Sequence, residues 1–84
     1  MNNNVSINSS RISKIRSEAR QAYVQTAKEF VDVSKGDPNG DFSNLRKDAG
    51  HNADFYYSEW NDEAGNAWEK IHKMLYEAEI IDYE

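Results

Sequence analysis

The chain has no cysteine, a single proline and four glycines among its 84 residues. Without cysteine there is no disulfide framework, no thiolate metal site and no thiol nucleophile. Long apolar runs are missing as well. Hydrophobic residues make up 38% of the sequence and mean hydropathy is −0.95, so nothing approaches the roughly 18 apolar residues of a membrane span. Residues Met1 to Asn4 lack the charged and greasy regions of a secretory signal, and a cytoplasmic location is expected. No long segment alternates polar and apolar residues with period two, so no sheet is expected. A chain this short forms at most one domain and buries only about 60–65% of its unfolded surface.

What is present is helical periodicity. Residues 1–9 are mostly Asn and Ser and bury too little to offset the entropy of ordering, so a flexible lead-in is expected there. From Ile12 the apolar positions recur at three- and four-residue steps: Ile15, Ala19, Ala22, Tyr23, Thr26, Phe30 and Val33. They fall within roughly ±60° of one line at about 100° per residue. Ser9 or Ser10 can cap the start, and Lys35, Gly36 and Pro38 supply stop signals, giving a helix over 10–35. The dense turn signal over 36–41 follows, with Asp41 as N-cap of the next element.

Residues 42–81 keep one amphipathic register centred on Trp60, running from Phe42 and Leu45 through Ala53, Tyr56 and Ala64 to Ile71, Leu75 and Ile81. As one helix this segment would be about 60 Å long, against about 39 Å for the first. It therefore either breaks, near Gly50 or within 61–66, or is covered by a second copy. The expected fold is all-α: a long helical hairpin or three-helix bundle in a single domain over 10–84, with the second segment returning antiparallel.

A second apolar line lies near the C-terminus. Tyr76, Ile80 and Tyr83 stand at i, i+4 and i+7, roughly 140–160° from the Trp60 direction, with Trp68 on the flank. Such a helix is buried on more than one side, and Tyr and Trp are enriched in partner contacts. Charge is divided unevenly. Residues 1–35 carry six basic and three acidic side chains, net +3, whereas residues 36–84 carry four basic and twelve acidic, net −8. The basic cluster is Arg11, Lys14, Arg16 and Arg20.

Patterns that would carry chemistry are weak. Asp37, Asn39 and Asp41 follow the opening spacing of a calcium loop, but Phe42 stands where a sharp-turn glycine belongs. His51 and His72 would be about 31 Å apart on one helix, too far to share a metal. Glu59 and Glu63, one turn apart, are a common surface pair. No phosphate loop, nucleophile elbow or zinc-protease motif occurs. The acidic balance and the layout disfavour nucleic acid. Neither enzyme activity nor a cofactor is expected.

The expected function is non-enzymatic protein binding: a small acidic inhibitor or modulator, of the phage or bacterial regulator, antitoxin, immunity or anti-defence type, on a basic surface of a larger protein. Size and charge alone carry that analogy. Its anchors would be Tyr76, Ile80 and Tyr83 with Trp68, and its charged rim Glu69, Glu77, Glu79 and Asp82. The alternative is a self-assembling helical-hairpin subunit, whose layout, without any shared motif, is similar to that of type III secretion needle subunits; a homo-oligomer stays open on either reading.

Overall fold

A computed structural model describes residues 3–30 and 37–80, with side-chain surroundings from residue 10 onward, and the described residues form three helices. Helix α1 spans Asn3–Glu29, α2 Phe42–Ser58 and α3 Asp62–Ile80. They form a rod of 53 × 18 × 18 Å. The architecture is the all-α three-helix form of the expected fold.

Helix α1 starts seven residues earlier than the apolar periodicity indicates, so residues 3–9 are helical rather than a flexible lead-in. Extending a nucleated helix adds one hydrogen bond per residue fixed, and Asn and Ser lower that gain by only a few tenths of a kcal/mol. The helix ends at Glu29, with the Phe30 N–H still donated to the Thr26 carbonyl at 2.8 Å. The continuation expected over 31–35, with Gly36 behind it, lies outside the described residues.

Asp37 to Gly40 form a closed turn. The Gly40 N–H donates to the Asp37 carbonyl at 2.8 Å, and the Asn39 N–H donates to Asp37 Oδ1 at 3.0 Å. Pro38 holds the second position, where its fixed φ is preorganised. Arg20 of α1 donates to the Pro38 carbonyl and ties the turn to the first helix. Asp41 then takes the N-cap position with φ −67° and ψ 145°. Its carbonyl accepts the Asn44 and Leu45 N–H groups, while its carboxylate makes no capping bond.

The direction of α2 differs from the expected antiparallel return. Arg16 and Arg20 lie over the ring of Phe42 at the start of α2, at 5.3 and 4.4 Å, whereas Phe30 meets Tyr56 near its end at 6.5 Å. Helix α2 is thus parallel to α1, and α3 runs antiparallel to both. A connection from 30 to 41 is long enough for this, since an extended chain reaches about 3.3 Å per residue.

Of the two weak points in the second segment, the chain uses the later one. Gly50 stays inside α2, where a Cβ would stand 3.1 Å from His72 Cδ2 of α3. The break falls at Glu59, Trp60 and Asn61. The Trp60 N–H donates to the Tyr57 carbonyl at 3.1 Å and the Asn61 N–H to the Tyr56 carbonyl at 2.9 Å, the paired bonds of a Schellman motif. Trp60 occupies its left-handed position, with φ 60°. Asn61 next caps α3, its Oδ1 accepting the Ala64 N–H at 3.2 Å, and Asp62 and Glu63 place negative charge on the first turn.

Two helices facing one another, instead of one long helix, rearrange the core. Trp60, the centre of the continuous register, is 91% exposed at the reversal. Trp68 is completely buried, its ring edge-on to Tyr23 at 5.4 Å. Around them pack Leu45, Ala49 and Ala53 of α2, Ile71, Leu75 and Ala78 of α3, and Ala19 of α1. Small residues at Ala49, Ala53, Ala64 and Gly65 let α2 and α3 approach closely, and α1 lies mainly against α3. Each large core side chain contributes about 1.5–3 kcal/mol.

Candidate protein-binding surfaces

Helix α3 presents its outer line to solvent. Tyr76 and Ile80 are both exposed, and Glu69 and Glu77 are exposed beside them without an ion-pair partner among the described residues. Two of the expected site residues behave differently. Trp68 cannot flank this face, because α3 is covered by α1 on one side and α2 on the other and Trp68 fills the seam between them. Glu79 is not an open rim charge: its Oε2 lies 2.9 Å from Arg46 Nε, in an ion pair joining α3 to α2. The same guanidinium stands 5.7 Å from the centre of the Tyr76 ring, so one face of that ring already has a cation against it. Tyr83 and Asp82 lie outside the described residues.

The basic cluster of α1 divides in two. Arg16 and Arg20 face inward across Phe42 and the 37–41 turn, lining an open cleft with Ser13, Ser17 and Ser43. Arg11 and Lys14 are exposed. Half of the sequence-level patch therefore holds the start of α2 in place.

The histidines are not separated as a single helix would separate them. The hairpin sets His72 against Gly50, next to His51 in the chain. Among the described residues no three His, Asp or Glu side chains come together as metal ligands, and Asp37 Oδ1 accepts the Asn39 N–H. No described helix is long and apolar enough to cross a membrane.

The reversal between α2 and α3 is a surface that helical periodicity conceals. Trp60 stands at its apex, and Phe55 and Tyr57 on the last turns of α2 are also exposed. Tyr57 is anchored, its hydroxyl donating to Asn66 Oδ1 at 2.7 Å. Partial desolvation, then the charges of Glu69 and Asp62, raise the pKa of the Tyr57 phenol above its ordinary value of 10.0. The available signal was Asn61 followed by two acids, a helix start that makes the preceding residue a helix stop.

Compared with known proteins, the chain matches no family model, no curated protein and no solved structure.

Proposed function

We propose that this protein is a non-enzymatic binding protein that docks an acidic, aromatic-bearing surface onto a basic surface of a larger protein and thereby inhibits or modulates it. The observation that carries the reading is the outer line of α3, where Tyr76 and Ile80 are exposed beside the carboxylates of Glu69 and Glu77, which have no ion-pair partner among the described residues. Exposed aromatics supply large contact area with few rotors to freeze, and the surrounding charge steers a cationic partner and selects against acidic ones. The whole chain carries formal net charge −5, so the long-range field has the same sign as the local one.

The test is capture from a host lysate on immobilised protein, eluted with rising salt and repeated with Tyr76→Ala/Ile80→Ala. The reading expects a basic protein that moderate salt releases and that the double variant retains poorly. Capture that is indifferent both to salt and to the variant counts against it, and growth into larger particles with concentration, seen by light scattering, favours self-assembly instead.

A further inference from the structure

We propose that the α2–α3 reversal is itself a docking surface, on which Trp60 enters an apolar pocket of a protein partner while the flanking carboxylates of Glu59, Asp62 and Glu63 meet a cationic rim around that pocket.

The conformation of Trp60 is the first ground. The Schellman motif requires a left-handed residue, and glycine takes that place without steric conflict. A bulky side chain there is an outlier, and strained positions concentrate where an external contact uses them. Trp60 gives the fold nothing in return: at 91% exposure its indole is out in solvent, whereas the other tryptophan is fully buried. The bonds of the reversal come from backbone groups, from Ser58 Oγ and from Asn61 Oδ1, none of which needs an indole at position 60. The benefit that offsets the strain lies outside the monomer.

Charge supplies the second ground and selects the occupant. From 52 to 66 the chain carries Asp54, Glu59, Asp62 and Glu63 and no lysine or arginine. These four are exposed and have no ion-pair partner among the described residues. An anionic membrane or another acidic tip would be repelled, whereas a protein surface with lysine or arginine around an apolar pocket matches both the ring and the charge. This inference rests on the proposed function in assuming a basic protein partner, but places an anchor at the opposite end of α3 from Tyr76 and Ile80.

A phage-displayed library of random peptides, panned on the immobilised full chain, tests it. The expected winners combine Lys or Arg with a large apolar residue. They shift Trp60 emission to the blue and lose about tenfold or more in affinity with Trp60→Gly. Trp60→Gly is expected to keep or raise the melting temperature, so that weakened binding is not ascribed to unfolding. Trp60→Ala, which leaves the left-handed backbone without the ring, is expected to bind as poorly. Winners that bind Trp60→Gly as well as the parent, or an unenriched library, overturn the proposal. If basic winners are weakened only by Tyr76→Ala/Ile80→Ala, the tip is overturned and the proposed function stands; winners lacking Lys and Arg overturn both. A parent chain that dimerises in sedimentation while Trp60→Gly stays monomeric assigns the tip to a second copy and likewise overturns the proposal.

Discussion

The ring of Tyr57 lies across Gly65 so closely that a Cβ at position 65 would stand 2.5 Å from Cδ1 and Cε1. The hydroxyl of the same ring donates to Asn66 Oδ1 at 2.7 Å, one residue further along α3. Tyr57 therefore clamps the end of α2 to the first turns of α3, and glycine at 65 is the residue that admits the clamp. The reversal that carries Trp60 is braced by this contact.

Gly65→Ala should destabilise the protein although alanine is the better helix former. Propensity favours the change by about 1 kcal/mol, and displacing the Tyr57 ring costs about 1–3 kcal/mol. In a Tyr57→Ala background the overlap is gone and Gly65→Ala should become stabilising. Urea unfolding of the four proteins checks the reversal of sign; the same sign in both backgrounds contradicts the clamp.

Trp60→Gly should stabilise by about 1 kcal/mol, because a left-handed non-glycine residue bears a penalty of that order. For a domain of this size the expected rise in Tm is about 4–8 °C. Thermal unfolding followed by circular dichroism reads it, and a lower Tm would show that the indole supports the fold.

The two ends of the tryptophan and tyrosine set should separate cleanly. Trp68→Ala removes a fully buried ring and should cost about 3–5 kcal/mol, enough to unfold much of a marginally stable domain. Tyr76→Ala/Ile80→Ala removes exposed groups and one cation–π contact with Arg46, so helicity should survive at a loss of about 1 kcal/mol or less. Far-ultraviolet circular dichroism at fixed temperature distinguishes the two, and loss of helicity in the double variant would make Tyr76 and Ile80 core.

The phenol of Tyr57 is held above its ordinary pKa of 10.0 by partial desolvation, then by Glu69 and Asp62. The folded state thus prefers the neutral phenol, which also donates to Asn66. Its contribution to stability is intact below the unfolded pKa and is lost as pH rises through the folded one. The alkaline fall in the urea midpoint should be shallower in Tyr57→Phe than in the parent. Ultraviolet titration of Glu69→Gln/Asp62→Asn should show the raised phenol moving back down, and an unchanged titration curve would remove those carboxylates as causes.

Much of the helical content was legible from spacing alone. Ala19 and Tyr23 on α1, Leu45 and Ala49 on α2, and Ile71 and Leu75 on α3 recur at helical steps and are buried as that recurrence requires. The exposure of Tyr76 and Ile80 follows from their angle to the same line. Trp68 is buried rather than flanking because an angle near the edge of a stripe does not say whether a second helix covers it. Glu79 is paired rather than open because its partner, Arg46, is distant in sequence and adjacent only across the helix pair.

Periodicity and capping residues by themselves determined that this protein is helical, where its helices can begin, and which line of each is apolar, since these are properties of neighbours within one or two turns. The tertiary structure decided that α2 runs parallel to α1, that the chain reverses at Trp60, and that the indole at 60 faces solvent while the one at 68 fills the core. A register that continues unbroken across a reversal cannot reveal it. The hydrogen bonds of the Schellman motif and the fit of Tyr57 over Gly65 form only once α2 and α3 lie side by side.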